Sequence, residues 1–220
     1  MLFGEIIEIR DEMPRSGPLN MALDEVLLSD ARTPLLRIYR WERPSVSFGY
    51  FGKFAPLAAA WPEREIVRRM TGGGTVPHGQ DLTYSLILPI GHAFATGSPR
   101  DVYRVVHATI GVFLAADGEV AALAVPPPQA GTGVCFESPV EFDLVARGKK
   151  IAGAALRRTS HGLLLQGSVQ EIPGLELLRP RLASAFANEV ITGDYTPRQL
   201  AAAESLAAEK YATREWTMRV

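Results

Sequence analysis

The chain has a single cysteine, Cys135, among 220 residues. One thiol cannot close an internal disulfide, so the fold must stand without that staple, and a reducing compartment is expected. Charge of one sign is also lacking. Lys and Arg number 23 against 24 Asp and Glu, a net charge of −1. That excludes the broad basic field of a nucleic-acid binder. No apolar run is long enough to span a bilayer. The opening MLFGEIIEIRDEMPRSG carries acids where a signal peptide carries bases. A cytoplasmic protein is expected, with neither membrane nor nucleic acid as partner. Internal repeats and low-complexity linkers are missing. No histidine, cysteine and carboxylate group has zinc-ligand spacing, so no metal site is expected.

What is present is an ordinary globular balance, 47% hydrophobic and 21% charged. A chain of this length buries roughly 70–75% of its unfolded surface, enough for a single domain over residues 1–220. Phe3–Ile9 reads as a first strand. Pro18 opens a helix that ends near Ala31, with Leu19, Leu23, Val26 and Leu27 at helical spacing. Leu35–Trp41 and Ser45–Phe51 are β-rich runs split by the Glu42-Arg43-Pro44 turn. Glu65–Met70 and Leu82–Leu88 read as strands about a glycine-rich turn. Ser98-Pro99-Arg100-Asp101 combines an N-cap serine, a first-turn proline and an early acid. Val102, Val105, Val106, Ile110 and Phe113 follow at helical spacing. Val120–Val125 reads as a strand. Val140–Ala146 and Lys150–Arg157 pair about Arg147-Gly148, and Gly162–Val169 adds a further strand. Thr196-Pro197 opens a last helix to about Lys210. Strands in adjacent pairs with helices between the groups imply an α+β fold, a mixed, mostly antiparallel sheet packed with helices.

Two stretches carry candidate chemistry. RRMTGGGTVPHG, Arg68–Gly79, removes three successive β-carbons at Gly72, Gly73 and Gly74. Backbone there can take positive φ, and a ligand can approach the peptide N–H groups closely. No Gly-Lys-Ser/Thr follows, so it is not a P-loop, and no helix follows as a dinucleotide fingerprint requires. Arg68 and Arg69 point to opposite faces of a strand, so at most one serves a site. His78 follows the turn, either as a simple hairpin residue or as part of that site. The second stretch is GVCFESPVEFDLVARGKKIAGAALRR, Gly133–Arg158. Cys135 is either an inert buried thiol or a nucleophile, which a nearby ammonium such as Lys150 would favour as thiolate. Spacing alone does not bring the two together: an extended run from Cys135 to the Arg147-Gly148 turn would hold them on the order of 30 Å apart. They meet only where Gly133–Pro139 folds back as a loop.

Arg68–His78 resembles the Arg-Arg-x-Ser-Gly-Gly-Gly-x-Val-x-His signature of the lipoate-protein ligase and octanoyltransferase family, with Thr71 for the serine. Asp81-Leu82-Thr83-Tyr84-Ser85 resembles that family's Asn-Leu-x-Tyr-Ser. Gly148-Lys149-Lys150-Ile151-Ala152-Gly153-Ala154-Ala155 resembles its Gly-x-Lys-Ile-x-Gly-x-Ala. Asn20–Glu25 and Lys210-Tyr211 with Glu215-Trp216 are weaker echoes. The resemblance implies a biotin/lipoate ligase-like catalytic domain. Cys135-Phe136-Glu137-Ser138-Pro139 and Phe142-Asp143-Leu144-Val145 are similar to the cysteine-dependent octanoyltransferase branch.

That branch implies an octanoyl or lipoyl acyltransferase that needs no cofactor. Cys135 would carry the acyl group, and Lys150 would polarise its carbonyl. Arg69, Gly72, Gly73, Gly74, His78, Gly153 and Ala155 would bind substrate. The donor implied is an acyl carrier protein. The acceptor is a lysine of a lipoyl carrier domain, a glycine-cleavage H protein or a dehydrogenase E2 domain. The alternatives are an ATP-dependent lipoate-protein ligase, using ATP and Mg²⁺ to form a lipoyl-adenylate, and a non-catalytic protein that binds the acyl group or carrier domain. Many ligases carry a small extra domain that has no counterpart before Val220. A transferase does not need it, and a two-part ligase would hold it on another chain. Gly79, Leu156 and Gln166 depart from the family pattern at positions expected to face substrate or acceptor.

Overall fold

The computed structural model describes residues 1–125 and 139–219. The chain runs through β1 (Phe3–Arg10), α1 (Gly17–Asp30), β2 (Leu35–Tyr39), β3 (Ser45–Phe48), α2 (Phe54–Ala60), β4 (Glu65–Arg68), β5 (Thr75–His78) and β6 (Leu82–Pro89). It continues through α3 (Ala93–Thr96), α4 (Pro99–Ala115), β7 (Ala122–Leu123), β8 (Leu144–Ala146), β9 (Lys149–Thr159) and β10 (Gly162–Val169). Short turns α5 (Leu175–Leu178) and α6 (Ala183–Phe186) lead to β11 (Ala187–Thr192), α7 (Pro197–Leu206) and α8 (Arg214–Thr217). Among the described residues no helix is long and apolar enough to cross a membrane.

The architecture is α+β. An eight-stranded sheet runs β11-β1-β2-β6-β10-β9-β8-β7, and a separate three-stranded sheet runs β4-β3-β5. In the large sheet β1 pairs parallel with β2 and β11, and the remaining ladders are antiparallel. Side chains alternate across a strand, and this places the site. Leu82, Tyr84, Leu86 and Leu88 of β6, with Leu163, Leu165 and Val169 of β10, share one core with α4. Ser98 caps α4 by accepting from the Asp101 amide at 3.1 Å. The helix buries Val102, Val106, Ile110 and Phe113, each contributing about 1.5–3 kcal/mol. The opposite face carries Ile87 and Leu164 at one end, packed with Leu27 and Leu28 of α1. Towards the other end it turns polar, with the cross-strand pairs Ser85–Gln166 and Thr83–Ser168. That polar end is the floor of the site.

Two expectations are corrected. The glycine run does not turn a hairpin. β4 and β5 both pair with β3, which lies between them, so the run is a loop crossing from one side of β3 to the other. The strand expected over Val120–Val125 is only Ala122–Leu123, and β11 went unread because its sequence ANEVIT has little apolar alternation. The Arg147-Gly148 hairpin is present. Both residues have positive φ, 53° and 75°, the pairing a two-residue turn needs to follow strand twist.

Candidate active site

Between the two sheets lies a narrow cleft. Its walls are the glycine loop, the ends of β3 and β5, and the polar face of β9 and β10. Arg69 builds the loop. Its guanidinium donates to the Gly72 and Gly74 carbonyls at 3.0 and 2.9 Å, to Ser47 Oγ at 2.7 Å and to Thr71 Oγ1 at 3.3 Å. The loop bends back through Gly73 at φ +79°, where a β-carbon would stand 3.2 Å from Ala155 Cβ. Gly49 receives it from below, since a β-carbon there would lie 2.0 Å from the Gly73 carbonyl oxygen. Arg68 leaves the site, as opposite faces require. It donates to backbone carbonyls of Gly52, Trp216, Thr217 and Arg219.

Lys150 stands on the opposing wall. Its side chain is buried, and Nζ lies 2.8 Å from Asp143 Oδ2. Asp143 is fixed in turn by the Val140 amide at 2.7 Å. His107 of α4 holds the same turn from behind. Its Nδ1–H donates to the Phe142 carbonyl at 2.6 Å, at a residue with φ of 69°. Burial lowers the His107 pKa from the ordinary histidine value and Lys150 adds to this, against the Phe142 carbonyl and Asp143. The imidazole therefore stays neutral beside the lysine. Gly153 serves the lysine directly: a β-carbon there would fall 2.6 Å from Lys150 Cε and 2.8 Å from Nζ. The neighbouring Lys149 is exposed.

Beneath the loop runs a chain of buried hydrogen bonds. His78 stacks on Trp41, with ring centroids 4.1 Å apart and planes within 16°. Its Nδ1 lies 2.8 Å from Asp81 Oδ2 and its Nε2 2.7 Å from Ser47 Oγ. Thr83 and Ser168 hydroxyls also donate to Asp81, at 2.6 and 2.7 Å. Burial pushes the Asp81 carboxyl up, but His78 beside it and these donors outweigh it, and it sits well below the usual carboxylate range. Deeper still, Gln166 links the site to α1. Its Oε1 accepts from Thr71 Oγ1 and its Nε2 donates to Asp24 Oδ2, both at 2.7 Å. Asp24 pairs with fully buried Arg37, at 2.8 Å, which also reaches Asp11 at 2.7 Å.

The lipoyl protein ligase A/B catalytic domain matches residues 16–177. The chain belongs to that family. An octanoyltransferase LipM of Oceanobacillus iheyensis is 35% identical over 177 residues, 76% of this chain and 65% of that relative's own length. LipM of Bacillus anthracis is 29% identical over 93% of this chain and 95% of its own. Among solved structures, a lipoate-protein ligase A bound with ATP superposes with TM-score 0.72 at 22% identity, covering 98% of each chain. A bi-partite lipoate protein ligase from Thermoplasma acidophilum, described with its E2 lipoyl domain, superposes with TM-score 0.67 at 20% identity, over 99% of this chain and 97% of that one. These likenesses establish the biotin/lipoate ligase-like fold.

The family signatures converge on the cleft. Arg69, Gly73, Gly74, His78, Lys150, Gly153 and Ala155 line it. Gly72 stands behind the wall with its carbonyl on Arg69. Cys135 lies outside the described residues. Of the three departures expected to face substrate, only Gln166 lines the cleft. Leu156 packs against the main core, and the Gly79 amide donates to Asp81 at 3.1 Å. Thr71 and Gln166, two departures from the family pattern, meet each other at 2.7 Å. The sequence reading missed Ser47, Asp143 and the Asp24–Arg37 pair. Asp24 had a signal, since it stands in the Asn20–Glu25 echo. Arg37 had none beyond a charge inside an apolar strand. No group of three or more histidine, cysteine, aspartate or glutamate side chains suited to a metal occurs among the described residues.

Proposed function

We propose that the protein is an octanoyl or lipoyl acyltransferase of protein lipoylation, working as one catalytic domain through a cysteine thioester. The observation that carries the reading is Lys150, a buried ammonium held by Asp143 on the wall of an apolar cleft opposite the glycine loop. Identity to LipM octanoyltransferases supports it further. The Cys135 thiolate attacks the donor thioester, and the carrier thiol leaves. An acceptor lysine amine then attacks the new thioester, giving an amide and returning the thiol. The first step exchanges thioesters of similar energy and the second runs downhill, so neither requires ATP. Lys150 opposes the negative charge that builds on the carbonyl oxygen in both steps. Arg69 holds the loop that closes over the acyl chain, and Trp41, Val76 and Ala154 give that chain an apolar wall. The donor is an acyl carrier protein, and the acceptor is a lipoyl carrier domain of the H-protein or E2 type. The ligase reading, with ATP and Mg²⁺, rests on likeness of fold. The test is intact-mass and peptide analysis after mixing with octanoyl-carrier protein. A hydroxylamine-labile octanoyl group on Cys135 is expected, and no adduct with any acyl donor would refute the covalent route.

A further inference from the structure

Ser47, His78 and Asp81 form a hydrogen-bonded line whose geometry is that of a nucleophile, its base and the group that orients the base. Asp81 is buried and ionised, so it can only accept, and His78 Nδ1 carries the proton between them. In the neutral imidazole Nε2 then accepts from Ser47 Oγ at 2.7 Å. Trp41 fixes the ring plane by stacking. The Arg69 guanidinium donates to Ser47 Oγ at 2.7 Å, which favours negative charge on that oxygen and on a carbonyl oxygen brought beside it. Ser47 and His78 both line the apolar cleft. The Ser47 hydroxyl is aligned with a base, an orienting carboxylate and a cation on the wall of the apolar cleft, which are the parts nucleophilic acyl chemistry requires.

We propose that Ser47 is a second nucleophile of this cleft, giving the protein a hydrolase activity on medium-chain acyl esters and thioesters that is independent of Cys135. Ser47 Oγ forms a bond to the acyl carbon, and its proton passes to His78 Nε2. The bond to the leaving alkoxide or thiolate breaks, and that group takes the proton from His78. Water then attacks the acyl-serine, losing its proton to His78. The carboxylic acid leaves and Ser47 Oγ recovers its proton.

The experiment uses the full chain carrying Cys135→Ala as parent, with p-nitrophenyl octanoate as substrate and no carrier protein. It therefore stands or falls separately from the transfer reading. The parent is expected to hydrolyse the ester. Ser47→Ala and His78→Ala each lower the rate about 10²-fold or more, the contribution of a positioned base and its nucleophile. Asp81→Asn lowers it by at least about 10-fold by releasing the ring orientation. A fluorophosphonate probe is expected to label the parent at Ser47, as peptide mapping reads. A hydroxyl that is only structural would not react. Melting curves report whether each variant is folded, and if Ser47→Ala is not, the labelling of the parent decides alone. Undiminished hydrolysis in a folded Ser47→Ala variant, or no adduct on Ser47, overturns the proposal.

Discussion

Gly153→Ala isolates the role of Lys150 without touching it. The added β-carbon would stand 2.6 Å from Lys150 Cε, 2.8 Å from Nζ and 3.1 Å from Asp143 Oδ1. Carbon atoms settle at about 3.5–4.0 Å, so Cε must retreat by roughly 1 Å. The obstructed atoms are the far end of a flexible side chain, and β9 need not move. Folding stability should thus fall by only about 1 kcal/mol, the low end of the range for an added methyl group, since the lysine gives way and the 2.8 Å contact with Asp143 stretches or swings. Catalysis is less forgiving. A misplacement of about 1 Å costs on the order of 10²-fold in rate. Octanoyl transfer from carrier protein to a lipoyl domain, followed by mass, should fall by about that factor, while the urea midpoint stays near that of the wild type. Wild-type transfer by a folded Gly153→Ala protein would refute the placement of this amine in the reaction.

Other expectations concern the buried charges and the loop. Lys150→Met should abolish transfer and destabilise the fold by about 3–5 kcal/mol, because Asp143 is left buried without its partner. Adding Asp143→Asn should restore most of that stability but none of the transfer, which a two-variant cycle in urea and in the transfer assay would show. Gly49→Ala should cost about 3 kcal/mol, the upper part of the range for overpacking, since its β-carbon meets the Gly72 and Gly73 backbone rather than a side chain. A melting shift within error would contradict the close approach of the loop. Asp81 has a carboxyl depressed in the folded state. Its stabilisation is fully present above the unfolded value of about 3.9 and is lost as pH falls below it. The melting temperature of the wild type should therefore exceed that of Asp81→Asn by most near neutrality, and the gap should narrow below about pH 4.

Much of this was legible in the residues. Ser98-Pro99 marks the start of α4 because cap and proline act locally. Gly162–Val169 was bounded correctly because its breakers and apolar run are local too. The pairing of β4 and β5 on either side of β3 was not legible, since a glycine run permits a hairpin and a crossing loop equally. The opposition of Arg68 and Arg69 followed from strand geometry alone, and the two side chains do part company. Lys150 could be singled out by motif, whereas Asp143 could not be given its role, because the pair closes through a turn at Phe142 with positive φ. Gly153, expected to bind substrate, first makes room for the lysine: a β-carbon there would stand 2.6 Å from Lys150 Cε. Ser47 gave no sign, being one hydroxyl in a short strand until β5 brings His78 beside it.

The most direct test of the account is octanoyl transfer to a lipoyl domain, with and without ATP, by the wild type and Cys135→Ala side by side. The account predicts full transfer by the wild type without ATP and none by the variant under either condition. Transfer that survives in Cys135→Ala, or that appears only with ATP and releases pyrophosphate, would contradict it.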